Sequence, residues 1–184
     1  MKVAEKYHNG TQSEITDYEV IDGENLTKDK TFVTVSYEKD EEIFTTTQEI
    51  IVHEKVEITS EKYHIQDEYI LKILPGTTVK EIYENLQCNM KFEILDLEGN
   101  HLEEAAIIGT GYKIKMEHGE EHTLIVWGDF NGDGKISVAE LARVSRIAVQ
   151  TDEPTLSEKM IIDVSLDGKI MINDLAAISR LALK

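Results

Sequence analysis

Over the first 127 residues, apolar side chains alternate with polar ones at the two-residue period of β-strands. Thr31 to Tyr37 is an alternating, β-branched run, Lys39 to Glu42 breaks it with charge, and Ile43 to Val52 resumes it. The pattern predicts a hairpin with a charged tip. Upstream, His8-Asn9-Gly10 is an Asn-Gly turn signal between Lys2 to Tyr7 and Ile15 to Val20. Strands this short and regular predict a small β-sandwich. Further strands are expected at Lys62 to Ile65, Tyr69 to Ile73, Lys91 to Leu95, Tyr112 to Met116 and Thr123 to Trp127. One helix is expected among them. It starts after Pro75-Gly-Thr-Thr78, with Thr78 as its cap and Val79, Ile82, Tyr83 and Leu86 at helical spacing.

After Gly128 the period changes. Leu141, Val144 and Ala148 fall on one helical face, as do Leu175, Ile178 and Ala182, while Arg143 and Arg146 project elsewhere. Between these two helices, Pro154-Thr155-Leu-Ser-Glu158 is a capping box that opens a short connecting helix through Ile162. A shift of 34 residues lays Asp129 to Ala148 on Asp163 to Ala182, an internal duplication.

Each copy opens with a loop that repeats oxygen-bearing side chains. The first carries Asp129, Asn131 and Asp133 at loop positions 1, 3 and 5, Gly134 at the sharp turn, and Glu140 at position 12. Calcium is a hard cation that takes six to eight oxygens, and the carbonyl of Lys135 and Ser137, directly or through water, extend the set. Magnesium fits less well because it keeps its waters and asks for octahedral geometry. The alternative is structural: Ser137-Val-Ala-Glu140 is also a capping box, and Asn-Gly and Asp-Gly are ordinary turn signals. The second loop keeps Asp163, Asp167 and Asp174, with the carbonyl of Lys169, but places Ser165 at position 3 and Met171 at position 9. Two calcium sites are therefore expected, the second weaker, with an empty or water-rich second loop as the alternative.

Charge divides the chain in the same place. The net charge is −17, with about −15 in residues 1–127 and −2 in residues 128–184, and all three arginines lie in the latter. A surface this acidic argues against nucleic acid and anionic lipid as partners. The apolar runs are too short for a membrane helix. Cys88 is the single cysteine, so no intrachain disulfide forms, no disulfide-linked partner is expected, and a half-buried core position is its expected place. The amino terminus carries charge where a signal peptide needs an apolar stretch, which reads as a cytosolic protein or an internal fragment. No catalytic residues are expected. Histidines 8, 53, 64, 101, 118 and 122 are scattered, and His118-Gly-Glu-Glu-His122 imitates a metal spacing but sits before a strand with Gly119 inside it.

Three resemblances follow from these motifs. The "KVAEKYHNGTQSEITDYEV" and "LTKDKTFVTVSYEKDEEIFTTTQEIIV" segments resemble bacterial immunoglobulin-like (group 3-type) repeats of surface proteins, here lacking the first strand, which implies a truncated sandwich over residues 1–55. The "ILPGTTVKEIYENL" and "GTGYKIKM" segments are similar to X-like β-modules that precede dockerins, over residues 56–127. Loop one is entered from a strand rather than the helix of an EF-hand. That feature, the duplication, and "GDFNGDGKISVAELARVSRI" with "DVSLDGKIMINDLAAISRL" closely resemble type I dockerins over residues 128–184. Glu140 and Ser165 depart from that family's pattern, which has Asp and Asn there.

The fold class expected is thus multi-domain: an all-β immunoglobulin-like sandwich, a small β-rich module with one helix, and an α-helical dockerin with two calcium-loop and helix repeats. The dockerin resemblance implies binding to a cohesin of a scaffoldin or surface protein, as in cellulosome-like, polysaccharide-degrading assemblies. It implies recognition through Val138, Ala139, Ser145, Arg146 and Gln150 in copy one, and Ile172, Asn173, Ser179, Arg180 and Lys184 in copy two. Solvated charge is the alternative for the arginines. Near-symmetry allows two orientations of a partner, although Val138-Ala139 and Ile172-Asn173 differ. The expected function is non-catalytic docking at the carboxyl-terminal end of a secreted or cell-surface bacterial protein. A calcium-rigidified stalk or adhesin that binds no cohesin is the other reading.

Overall fold

The computed structural model describes residues 3–6, 11–24, 26–27, 30–52, 55–117 and 119–183. The Asn9-Gly10 turn, His8, His53, His118 and Lys184 lie outside them. The chain divides into two compact units, Met1–Lys55 and Val56–Lys184.

In the first unit, strands β1 (Val3–Lys6) and β2 (Gln12–Ile15) pair antiparallel, and β3 (Glu19–Ile21), β4 (Phe32–Lys39) and β5 (Glu42–Glu49) form a second antiparallel sheet in that order. The run expected at Ile15 to Val20 is split between two sheets, with Asp17, a turn former, in the gap. The β4–β5 hairpin closes through Asp40 and Glu41, both with positive φ, as a two-residue loop needs to match the strand twist. β5 stops at Glu49 rather than Val52, because Glu49 pairs with Phe32, the first residue of β4. Val33 and Val35 of β4 are buried, whereas β5 is exposed at every position.

The second unit is built on a five-stranded mixed sheet ordered β10-β11-β12-β8-β7, from β7 (His64–Gln66), β8 (Tyr69–Ile73), β10 (Phe92–Leu95), β11 (Lys113–Met116) and β12 (Glu121–Val126). A short ribbon pairs β6 (Ile58–Thr59) with β9 (Gln87–Cys88). β7 starts later than Lys62 because the Ser60 hydroxyl accepts the amides of Lys62 and Tyr63 in a turn. β12 lies parallel to β8, and the pairing shifts register beside Lys72, whose φ is +66°. That bulge places Ile70 and Ile73 together on one face and Leu71 on the other.

Helices cover both faces of the sheet. Helix α1 (Val79–Asn85) starts in a capping box of Thr78 and Glu81 and adds Val79 and Ile82 to the main core with Ile70, Ile73, Leu124 and Val126. On the opposite face, Leu71 and Ile125 meet Ile161 of α3 (Leu156–Ile162). The second half of β12, Leu124 to Val126, is buried on both faces of the sheet, which suits its continuous apolar run. Cys88 is half-buried against the main core. The remaining helices, α2 (Val138–Ala148) and α4 (Ile172–Leu181), share a smaller core of Val144, Ile147, Ile162 and Ile178, flanked by Leu141 and Leu175.

Candidate calcium loops and recognition surface

β12 delivers the chain into loop one. The Trp127 amide donates to Ile73 O at 3.0 Å and the Gly128 amide to Ile161 O at 3.0 Å, which ties the loop entrance to the sheet and to α3. Loop two follows α3 directly, with Asp163 as that helix's C-cap. Each loop ends in the first turn of a helix, α2 or α4.

The two loops share a hydrogen-bond plan. The first aspartate, Asp129 or Asp163, accepts from the amide five residues on, Gly134 at 3.0 Å or Gly168 at 2.8 Å, and from Asp133 or Asp167, each at 3.2 Å. Asp133 and Asp167 accept from Lys135 and Lys169 at 2.9 and 2.8 Å. The last carboxylate, Glu140 or Asp174, reaches back to the amides of Asn131 or Ser165 at 3.3 and 3.1 Å. It also accepts from Ser137 or Met171 at 2.7 and 2.9 Å. Glu140 thus serves the capping box and the loop together, so the two readings of that motif are compatible.

Gly134 and Gly168 have φ of +74° and +80°, the left-handed turn expected of that position. A second left-handed residue, two positions earlier, was not anticipated: Gly132 in loop one and Leu166, at φ +57°, in loop two. A leucine there stores of order 1 kcal/mol of backbone strain.

The surroundings of the loops differ. Asp129 is fully buried, and its Oδ1 also accepts from Gly132 at 2.8 Å and its Oδ2 from Thr110 of the β11 approach at 2.8 Å. Burial pushes its carboxyl above the ordinary range. The amides of Thr110, Gly134 and Gly132 oppose that rise, and the Glu140 charge adds to it. Tyr112 is raised by burial and by the charges of Asp96, Glu98, Asp129 and Asp133, so acids of the β-rich part stand beside loop one. Asp163 is half-buried, and its additional partner is the Ser165 hydroxyl at 3.1 Å.

Asp129, Glu140 and Asp174 are 0%, 6% and 1% exposed, yet among the described residues none of the six loop carboxylates pairs with Lys, Arg or His. Buried carboxylates without a counter-charge are costly unless a cation satisfies them. Oxygen donors throughout, with Asn131, Ser137 and two lysine carbonyls beside the acids, suit a hard cation. No cluster of three or more His, Cys, Asp or Glu side chains gathers at metal-binding range among the described residues. The donor set of each loop is not carboxylate alone. Met171 is half-exposed at the α4 N-cap, and its thioether is a soft donor that calcium does not favour.

Most of the residues implied for recognition lie on α2 and α4, with Gln150 just beyond the end of α2. Val138 is 85% and Ile172 64% exposed, and Ala139, Asn173, Gln150 and Arg180 are exposed too. Ser145 and Ser179 are half-buried, and the Ser145 hydroxyl bonds back to Leu141 O at 2.8 Å. Arg146 pairs with Asp152 at 3.0 Å, whereas Arg180 has no ion-pair partner among the described residues. Sequence reasoning passed over Arg143, which clamps α2 to α3 through two bonds to Glu158, at 2.9 and 3.2 Å, and one to Asp152 at 2.6 Å. The signal was present as an arginine facing a capping-box glutamate. Its hydrogen bond from Arg143 holds the Glu158 carboxyl below its ordinary range. Of the histidines, His64 and His101 are exposed and His122 is buried in β12.

The family model of the dockerin type I domain matches residues 127–181. Dockerin domains are non-catalytic modules that bind calcium and, dependent on it, cohesin domains. No curated protein and no solved structure matches the chain. Proteins carrying dockerins are typically extracellular or on the cell surface, and no helix among the described residues is long and apolar enough to cross a membrane.

Proposed function

We propose that residues 128–184 form a calcium-dependent dockerin that docks a cohesin of a scaffoldin or surface protein, and that the chain is non-catalytic. The observation that carries this reading is the pair of loops with a common hydrogen-bond plan and buried carboxylates lacking a basic partner among the described residues. In loop one, Asp129, Asn131, Asp133, Glu140, the Lys135 carbonyl and Ser137 would hold the first ion. In loop two, Asp163, Ser165, Asp167, Asp174 and the Lys169 carbonyl would hold a second, weaker one, with Met171 at the remaining position. A bound ion would cancel like charge inside each loop, while Glu140 and Asp174 hold the start of the following helix through their hydrogen bonds to the Ser137 and Met171 amides. The recognition surface is then Val138, Ala139, Ser145, Arg146 and Gln150 with Ile172, Asn173, Ser179, Arg180 and Lys184.

The separate compact unit of antiparallel strands over residues 1–55 supports an immunoglobulin-like domain there, and the sheet over residues 56–127 supports an X-like module, both acting as acidic spacers. The setting would be an extracellular, cellulosome-like assembly. The test is capture by a panel of cohesins with and without chelator, alongside calcium calorimetry. Capture that needs calcium supports the reading, and calcium uptake without capture by any cohesin removes the docking half of it. One observation favours a second reading, a calcium-rigidified stalk: loop one is bonded to the β-rich segment through Thr110 and Gly76, whose amide donates to Gly134 O at 2.9 Å. Under that reading Arg146 and Arg180 are inert.

A further inference from the structure

Loop one is packed against the β-rich segment at backbone distance. A Cβ built on Gly109 would lie 1.8 Å from Gly132 O, and one on Gly134 would lie 2.4 Å from Ile107 Cγ2 and 2.5 Å from Ile108 O. Gly168, the counterpart of Gly134 in loop two, has nothing within 4 Å of such a Cβ. Between these contacts sits Thr110. Its amide donates to Asp129 Oδ2 at 2.8 Å, while its hydroxyl accepts from the Val126 amide at 3.0 Å and donates to Val126 O at 3.2 Å. One residue therefore fixes both the last residue of β12 and the first carboxylate of loop one. Among the described residues, loop two has no equivalent donor from outside its own repeat.

We propose that the 107–110 segment is a structural component of the first calcium site, with Thr110 as a positioning residue that orients Asp129 for the ion. This rests on the calcium reading above. A carboxylate that must ligate with one oxygen is held by hydrogen bonds to the other or to a lone pair pointing away from the ion, and such outer partners set metal affinity about 10- to 100-fold. Loop one binds calcium as a joint product of the β-rich segment and the repeat, and loop two binds it as a property of the repeat alone. The Gly109 backbone supplies the close approach that lets the Thr110 amide reach a buried aspartate. Any side chain there would displace the Gly132 carbonyl and with it the loop.

The experiment uses the full chain, with one loop disabled at an exposed ligand so that each site is read by itself. Asp167→Ala leaves loop one, Asp133→Ala leaves loop two, and calcium affinity is measured by calorimetry in each background with and without Gly109→Ala. The expected result is affinity about tenfold weaker or more for loop one and a change of less than about twofold for loop two. Equal effects on both loops, or none on either, overturn the proposal. Thr110→Ser keeps all three hydrogen bonds and should leave loop one unchanged, and Thr110→Ala should weaken it alone. If Gly109→Ala does not fold, amide exchange in the unsubstituted chain decides. The Thr110 amide should gain at least about tenfold protection on calcium addition, with the gain retained in Asp167→Ala and lost in Asp133→Ala. A gain that instead follows loop two overturns the proposal. No calcium uptake by the unsubstituted chain sinks the calcium reading itself, and this inference with it.

Discussion

Loops one and two spell nearly the same instruction in sequence and are folded into different settings. In loop one the first aspartate is fully buried, receives an amide from another part of the unit, and has a glycine at each left-handed position. In loop two the first aspartate is half-exposed, its extra partner is its own neighbour's hydroxyl, and a leucine occupies one left-handed position. The difference teaches that spacing sets which atoms can ligate, whereas packing from outside the repeat sets how rigidly they are presented. Both loops bury their last carboxylate, Glu140 and Asp174, so the asymmetry is concentrated at the entrance.

The largest test of that comparison is Asp129→Ala against Asp163→Ala, each unfolded with urea in excess calcium. Asp129→Ala leaves the amides of Thr110, Gly132, Asp133 and Gly134 without their buried acceptor and removes a ligand, so a loss of about 3 kcal/mol or more is expected. Asp163→Ala exposes its former partners to water and should cost about 1 kcal/mol beyond the lost ligation. Equal losses would mean that the burial of loop one has no energetic consequence. Next in size is the matched pair Gly134→Ala and Gly168→Ala. Both place a side chain at positive φ, for about 1 kcal/mol, but only the first also drives a methyl into Ile107 and the Ile108 carbonyl. Gly134→Ala should therefore cost about 2 kcal/mol or more in excess of its partner. Similar losses in thermal unfolding would show that the contact yields freely.

The repeated loops, the cap at Thr78, the capping boxes at Ser137 and Thr155, and the strand that enters loop one were all legible, because each is a local pattern of a few residues. The setting of loop one was not. It depends on a backbone-to-backbone approach between Gly109 and Gly132, and nothing in the Gly109-Thr-Gly111 turn signal says which carbonyl it faces. The bulge at Lys72 was equally hidden, since it arises from the register between parallel strands β8 and β12 far apart in sequence. Leu166 at positive φ is the reverse case: its residue type argues against the conformation that the loop imposes.

A smaller effect separates the helices rather than the loops. The Arg143 clamp on Glu158 joins α2 to α3, and α4 has no counterpart of Arg143, since Ala177 stands at that position of the second copy. Because its hydrogen bond to Arg143 lowers the Glu158 pKa from the ordinary 4.5, the folded chain gives up that proton at a lower pH than the unfolded chain does. The stabilisation is complete above about pH 4.5 and is lost as pH falls through the lowered value. Glu158→Gln should lower the urea midpoint at neutral pH and flatten its acid dependence below 4.5. An unchanged pH profile would assign the acid sensitivity to other carboxylates.

The smallest expected change in stability is also the sharpest reading of symmetry. Arg146 is exposed and paired with Asp152, and an exposed pair of this kind contributes about 0–1 kcal/mol. Arg180 is exposed without such a partner among the described residues, so its replacement should leave stability within about 0.5 kcal/mol. Binding is where the two differ. If a cohesin uses either copy after a half-turn, Arg146→Ala and Arg180→Ala each leave capture largely intact, and the double substitution abolishes it. If the pairing with Asp152 biases the chain toward one orientation, Arg180→Ala alone should reproduce most of the double loss, because its guanidinium reaches a partner without first leaving an acid. Affinity for one cohesin across the four variants distinguishes these outcomes. Four equal affinities would make both arginines solvated charges and leave recognition to the other residues of α2 and α4, whereas no capture of any variant would favour the stalk reading.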